Sequence, residues 1–324
     1  MSSKVHCELC PTECVLENYQ IGGCRTRMNK DGVLYSLVYG KPCAVNVDPI
    51  EKKPFYHFLP ATTAFSIATA GCVLGCKFCQ NWQISQASPE DTDNRDLQPA
   101  DVVRQALYYQ CRSITYTYTE PTVFYEYMYD TAKIARQHGI RNTMHSCGYI
   151  KEKPLREVAK LLDAADIDLK AFTEDFYNRI CGGRLRPVLD ALVVLKEEGV
   201  WLEITNLVIP TLNDDPKKMR EMCGWIVKNL GQDVPIHFSR FFPYYKLKNL
   251  PPTPWETLKE ARDIAREAGI RYAYIGNIRS EGENTYCPAC RRLLIERIGY
   301  FVKQNNMVKG TCRFCSNRIA GIWS

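Results

Sequence analysis

A chain of 324 residues, 45% hydrophobic and 24% charged, has enough apolar side chains to bury a core, which excludes a disordered segment. That length suits one large domain or a main domain with small attachments. Its 42 basic and 36 acidic residues leave +6, too mild and too mixed to imply nucleic acid or a membrane on its own, and no apolar run approaches the roughly 20 residues that span a bilayer.

The first residues, Met1 to Cys7, lack the apolar stretch of a secretory signal, so a cytoplasmic location and reduced thiols are expected. This matters because the chain carries 16 cysteines. Reduced cysteines in tight clusters most often bind metal. Cys7, Cys10, Cys14 and Cys24 form the first cluster and mark residues 1–60 as a Cys-rich metal-binding module. Cys72, Cys76 and Cys79 form the second, and Cys287, Cys290, Cys312 and Cys315 the third. The scattered Cys43, Cys111, Cys147, Cys181 and Cys223 read as small buried hydrophobes or inert thiols.

Residues 61–280 alternate strand-like and helix-like runs. Ala64 to Ala70 reads as a strand ending at Gly71, followed by a helix over Ala100 to Gln110 with Val102, Val103, Ala106 and Leu107 on one face. A strand over Ser113 to Tyr118 precedes a helix from Pro121 to His138, and a strand over Arg141 to His145 precedes a helix from Pro154 to Leu162. The pattern continues with a strand over Ala165 to Leu169, a helix from Pro187 to Glu198 stopped by Gly199, and a strand over Trp201 to Ile209. A helix over Lys217 to Asn229, a short strand over Pro235 to Phe238, a helix from Pro254 to Ala268 and a last strand over Tyr272 to Ile275 complete it. Six or seven such units predict an α/β fold: a parallel sheet curled into a partial or complete (β/α) barrel, with helices outside. Residues 281–324 are short strand-like runs around the last four cysteines, a zinc-ribbon-like module.

In barrels of this kind the chemistry gathers at the C-terminal ends of the strands, and the second cysteine cluster starts two residues after the first strand. Its sequence is Cys72-Val-Leu-Gly-Cys76-Lys-Phe-Cys79. Gly71 and Gly75 allow the backbone to approach a bulky ligand. Three thiolates on a four-iron cubane leave one iron without a protein ligand, free to bind a small molecule. Phe78 would shield such a cluster from water. The competing reading is a structural zinc completed by a distant ligand such as His57.

Cys-x3-Cys-x2-Cys after the first strand of a βα barrel resembles the signature of radical S-adenosylmethionine (SAM) enzymes. Over nearly the whole chain the sequence is similar to the AmmeMemoRadiSam-system radical SAM proteins, relatives of the pyruvate formate-lyase activating enzymes. The phrases that carry the likeness are Cys7-Glu-Leu-Cys-Pro-Thr-Glu-Cys14, Asp48-Pro-Ile-Glu-Lys-Lys-Pro-Phe-Tyr-His57, the Cys72 motif through Trp82, Thr117-Tyr-Thr-Glu-Pro-Thr122 and the final pair of CxxC units. The resemblance implies a [4Fe-4S] cluster whose free iron chelates SAM. One electron enters, the S–C5′ bond breaks, and a 5′-deoxyadenosyl radical abstracts hydrogen from a substrate. It also implies an electron donor of the flavodoxin or ferredoxin kind.

Bound SAM needs acceptors for its ammonium and ribose, and a cation or N–H for its carboxylate. Glu120 follows the second strand, where the family carries Gly-Gly-Glu and this chain carries Tyr118-Thr119-Glu120. Ser146 lies in His145-Ser-Cys-Gly-Tyr149, which matches an Asp-Thr-Asn-Gly stretch of the activating enzymes. Asp168 and Lys170 match their Asp-Leu-Lys and share one side of the fourth strand. Asn206, on the fifth strand, is a further candidate. Each has a plain alternative: solvated surface charge or a simple ion pair. His57, His145 and His237 read as buried, satisfied histidines. Phe238 to Tyr245 reads as barrel packing near the mouth, with Arg240 there suited to an acidic substrate group.

Cys287-x2-Cys290 and Cys312-x2-Cys315 form two knuckles that close a four-thiolate site, for which zinc is expected. The Cys7, Cys10, Cys14 and Cys24 spacing also suits zinc, with an auxiliary iron–sulfur cluster as competitor. Activating enzymes usually lack this pair of flanking modules, so three functions stand open. They are hydrogen abstraction from an unidentified protein, peptide, small molecule or RNA; activation of a glycyl-radical partner protein; and a non-catalytic, metal-stapled adaptor whose basic C-terminal residues touch RNA.

Overall fold

The computed structural model describes residues 4–324. Its main sheet has eight strands: β1 (Ala44–Pro49), β2 (Thr63–Ala68), β3 (Ser113–Tyr116), β4 (Arg141–Ser146), β5 (Ala164–Asp168), β6 (Trp201–Val208), β7 (Ile236–Arg240) and β8 (Ala273–Gly276). They lie side by side in that order. Strands β2 to β8 are parallel, and β1 pairs antiparallel with β2, Ala44 opposite Ala68. The first and last strands are not paired with each other, so the sheet is an open, partial barrel.

The parallel strands are buried on both faces, which is why they read as near-continuous apolar runs: every residue of β3 is buried, as are four of the five in β5. Six helices cross over between them: α1 (Pro99–Tyr108), α2 (Tyr125–Gln137), α3 (Glu152–Ala159), α4 (Leu185–Glu197), α5 (Pro216–Asn229) and α6 (Trp255–Glu267). Each turns one apolar stripe to the sheet, such as Val188, Ala191, Leu192 and Leu195 of α4. Proline at the first position of α1 and α5 fits a site whose N–H has no helical partner.

The helix expected from Pro121 begins instead as a 3-10 turn, Pro121–Phe124, capped by the Glu120 carboxylate accepting from the Thr122 N–H. The edge strand β1 was not anticipated, since its Asn46, Asp48 and Pro49 resemble a turn more than a strand. The N-terminal residues add a hairpin, Arg27–Lys30 with Val33–Ser36, tied to α2 by a bidentate Arg27–Glu126 pair at 2.6 Å. At the other end β9 (Leu293–Ile298) and β10 (Phe301–Asn305) form an antiparallel ribbon. The buried Arg297 clamps it to the barrel by donating to the carbonyls of Glu283 and Tyr56 and lying 4.1 Å over the Tyr56 ring. No helix among the described residues is long and apolar enough to cross a membrane.

Candidate active site

The loop after β2 is held from three sides. Gly71 has φ +91°, and a Cβ there would lie 2.5 Å from the Cys24 carbonyl oxygen, so only glycine lets the N-terminal module sit against the loop. Gly75 and Lys77 donate their N–H groups to the carbonyls of Cys181 and Ile180, in a π-helical turn over Tyr177–Cys181. Asn81 donates its side-chain amide to the Tyr118 carbonyl at 2.7 Å. Thus fixed, Cys72, Cys76 and Cys79 line one cavity of about 440 Å³. Its wall comes from the C-terminal ends of successive strands: Thr117 after β3, His145 and Ser146 of β4, Asp168 of β5 with Lys170 just beyond, Thr205 of β6 and Ser239 of β7. One cavity touched by so many strands requires the sheet to curl around it.

Charge in this wall is paired. Lys170 Nζ donates to Asp168 Oδ2 at 2.7 Å, and His145 lies between Asp166 (2.8 Å from Nδ1) and Asp168 (3.6 Å from Nε2). The Nδ1–Asp166 contact is close but its N–H is not aimed at the oxygen, so it is an ion pair rather than a good hydrogen bond. Burial pulls the His145 pKa down, but Asp168 and Asp166 outweigh it and raise it to about 10. Burial would raise Asp168; Lys170 and His145 reverse this and hold it well below the usual carboxylate range. Phe78 lines the cavity and packs against Phe176 at 6.1 Å between centroids, with Lys170 Nζ 5.6 Å from its ring.

Of the residues singled out in the sequence, the three cysteines, Phe78, Ser146, Asp168 and Lys170 meet at this cavity. Glu120 and Asn206 do not line it. The Glu120 carboxylate accepts from Thr122, from the Ser146 hydroxyl at 2.7 Å and from the Cys147 N–H at 2.8 Å, which sets the turn after β4. Asn206 donates to the Leu169 carbonyl at 2.7 Å, which sets the turn after β5. His57 is enclosed between the Ala320 carbonyl and the Tyr274 hydroxyl, and His237 pairs with Glu203 at 2.7 Å. Arg240 donates to the Thr253 carbonyl, while Phe238 and Phe241 are core and Phe242 and Tyr244 are exposed.

Sequence reasoning missed His145 as a wall residue, and with it Lys53, Cys147 and Tyr300. Lys53 pairs with Asp48 at 2.7 Å and lies 3.9 Å over the Tyr118 ring, whose hydroxyl also donates to Asp48. Burial, only partly offset by Asp48, lowers the Lys53 pKa to about 8. The signal for His145 was available: it ends a barrel strand. Tyr300, on the turn between β9 and β10, carried no such signal.

The donor sets differ in geometry. A single tetrahedral ion with bonds of about 2.3 Å holds its sulfurs about 3.8 Å apart. Cys287 and Cys315 lie 3.6 Å apart, Cys290 and Cys312 lie 3.7 Å apart, and all four gather within 4.8 Å. That fits one ion. Neither the Cys72 trio nor the N-terminal quartet closes to such distances among the described residues, although Cys14 and Cys24 both flank Gly22 and all three Cys72-loop thiols face one cavity. The trio fits a larger inorganic core. Two of its three sulfurs have hydrogen-bond partners, the Leu74 N–H at 3.4 Å from Cys72 and the Ser85 hydroxyl at 3.2 Å from Cys79.

Comparison with known proteins agrees with this geometry. Residues 66–223 match the Radical SAM superfamily model. Over 98% of its length the chain is 46% identical to an uncharacterized protein of Methanocaldococcus jannaschii, covering 95% of that protein. It is 25% identical to a pyruvate formate-lyase-activating enzyme of Clostridium pasteurianum, over 55% of this chain and 73% of that one. Among solved structures, a radical SAM methyltransferase from Sphaerobacter thermophilus shares the fold at a TM-score of 0.53 and 17% identity, over 73% of this chain and 71% of that one. The chain belongs to the radical SAM superfamily.

Proposed function

We propose that this protein is an enzyme that cleaves SAM reductively and uses the 5′-deoxyadenosyl radical so formed to abstract hydrogen from a substrate. One observation carries the reading: three thiols on a single loop and a paired set of charges from β4 and β5 face the same cavity. Cys72, Cys76 and Cys79 would hold the [4Fe-4S] cluster. When bound, cluster and SAM supply one-electron scission of the sulfonium S–C5′ bond and the radical that follows.

The chain's own groups bind, orient and exclude water. Asp168 offers a carboxylate acceptor to the SAM ammonium or ribose hydroxyls, and Lys170 and protonated His145 hold that carboxylate charged. Lys170 also brings a cation for the SAM carboxylate. Ser146 lines the cavity with its hydroxyl tied to Glu120, which sets the turn after β4, and Asn206 fixes the turn that carries Lys170. Phe78 and Phe176 close the apolar side and keep solvent away from the reacting groups.

The likeness to a protein named an activating enzyme favours a protein or peptide as hydrogen donor, with a flavodoxin- or ferredoxin-like protein supplying the electron. The C-terminal quartet reads as structural zinc. The N-terminal quartet of Cys7, Cys10, Cys14 and Cys24 reads as a second metal centre, a zinc or an auxiliary iron–sulfur cluster, which metal analysis distinguishes.

Anaerobically reconstituted protein given dithionite and SAM should release 5′-deoxyadenosine. A fully loaded cluster with no release would sink the proposal. Deuterium transferred into 5′-deoxyadenosine from a labelled peptide, small molecule or RNA would identify the substrate class.

A further inference from the structure

A second cavity, of about 390 Å³, lies at the opposite end of the sheet from the cysteine loop. Its wall includes Gln232, which leads into β7, and Gly269 to Tyr272, which lead into β8. Across from them stand Asn284, Tyr286 and the first knuckle of the C-terminal module. The cavity therefore sits where barrel and ribbon meet. Its size is within the roughly 300–1,000 Å³ typical of small-molecule pockets.

Its charge is one-sided. Arg266, Arg271 and Arg291 line it, and no carboxylate does among the described residues. Arg271 is held by Asp233 at 2.9 Å. Arg266 and Arg291 are exposed at the cavity mouth and make no side-chain ion pair among the described residues; partial desolvation of Arg266 together with Arg262 and Arg291 disfavours its charge, with Asp263 and Glu281 offsetting this only in part. Arg262 is the more unusual residue. It is 7% exposed, and its buried Nε has no partner. Among the described residues its side chain makes no hydrogen bond, ion pair or ring contact. It stands one turn before Arg266 on α6, on the same face.

The two other buried arginines, whose Nε atoms also lack partners, are anchored through their outer nitrogens. Buried Arg27 has a bidentate carboxylate, buried Arg297 has three acceptors, and Arg156 has three glutamates. Arg262 has no carboxylate to offset its charge beside Arg266, so an anion bound between Arg266 and Arg291 would stabilise this group of cations. The two guanidinium groups without an ion pair that line this cavity, Arg266 and Arg291, suit a phosphate, whose several oxygens accept bidentate bonds. The volume favours a small molecule over a nucleic acid. Three of the outer basic residues of the ribbon are already engaged: Lys303 with Glu296, and Arg292 and Arg313 on the Phe314 ring.

We propose that this cavity binds a phosphate-bearing small molecule of nucleotide size, with Arg266 and Arg291 holding the phosphate and Arg262 behind them. Gln232 and Asn284 add amide groups, and Tyr286 offers a flat face to the remainder of the ligand. Because the cavity is remote from the cysteine loop, the proposal stands apart from the SAM reading.

The test is calorimetric titration of the full-length, metal-loaded protein, saturated with SAM so that its adenosine pocket is filled. The two probes are ADP and inorganic pyrophosphate. Saturable binding of either is expected, weakening roughly tenfold or more in Arg266→Glu and in Arg262→Met. ADP alone would assign a nucleotide, and equal binding of both would assign the bare phosphate group. Arg266 is exposed, so its replacement leaves the core intact, and zinc content checks the adjoining knuckle in both variants. Arg262→Met should also raise the melting temperature of the ligand-free protein by removing an unpartnered buried charge. No saturable binding of either probe, or binding that both substitutions leave unchanged, overturns the proposal.

Discussion

At the C-terminal ribbon four thiols stand within 4.8 Å of one another, on two knuckles remote from the strand ends. At the loop after β2 three thiols face a cavity of about 440 Å³ and do not draw together. The ligand atom is the same in both places, and what surrounds it differs. The ribbon brings enough sulfurs for all four corners of one ion, with no corner left for a substrate. The loop supplies one ligand too few and spends the wall opposite on Asp168, Lys170 and His145. A closed thiolate site staples a tail that buries little apolar surface; an incomplete one beside ordered charge is built for chemistry.

The largest effect should separate the two regions outright. Cys72→Ala should abolish cluster iron and 5′-deoxyadenosine release, while Cys287→Ala should leave release measurable; iron analysis and chromatography read both. Loss of release in Cys287→Ala with cluster iron intact would break the contrast. Next, Cys312→Ser should cost roughly 3–5 kcal/mol of ribbon stability in urea titration, with zinc lost and cluster iron kept. A closed site that merely decorates the surface would show almost no change.

On the reactive side, Asp168→Asn should weaken SAM binding by about 10- to 100-fold, since a hydrogen bond to a charged group is lost and Lys170 is left without its partner. Equal affinity in wild type and variant would remove Asp168 from the site. The smallest effect concerns protons. His145 is raised from 6.5 to about 10, so its contribution to stability is whole below pH 6.5 and is lost as pH rises through about 10. The stability difference between wild type and His145→Gln should therefore be flat in acid and shrink across that window. Ring nitrogen NMR shifts titrating near pH 6.5 would contradict it.

Much of this was legible in the chain. Strands buried on both faces announce themselves as apolar runs, and the crossover helices by their 3.6-residue stripe, so β2 to β8 fall within about two residues of their expected bounds. The Cys72 motif identifies its own loop, because three cysteines so close together after a strand have few other uses. What escaped depends on long-range packing. Glu120 and Asn206 sit at strand ends as Asp168 does, yet their side chains turn to backbone N–H and carbonyl groups of neighbouring turns, and no local pattern distinguishes the two fates. Lys53 reaches the cavity only because β1 joins the sheet edge, and Tyr300 only because Arg297 pins the ribbon to Tyr56. Arg262 looks like an ordinary polar position on an amphipathic helix until the fold buries it.

The contrast between an incomplete and a complete thiolate site is most directly tested by anomalous diffraction at the iron and zinc edges from crystals grown without oxygen and soaked with SAM. The account predicts iron at Cys72, Cys76 and Cys79 with SAM on the corner they leave free, and zinc alone at Cys287, Cys290, Cys312 and Cys315. Zinc at both, or a fourth side chain seated on the corner facing Asp168 and Lys170, would contradict it.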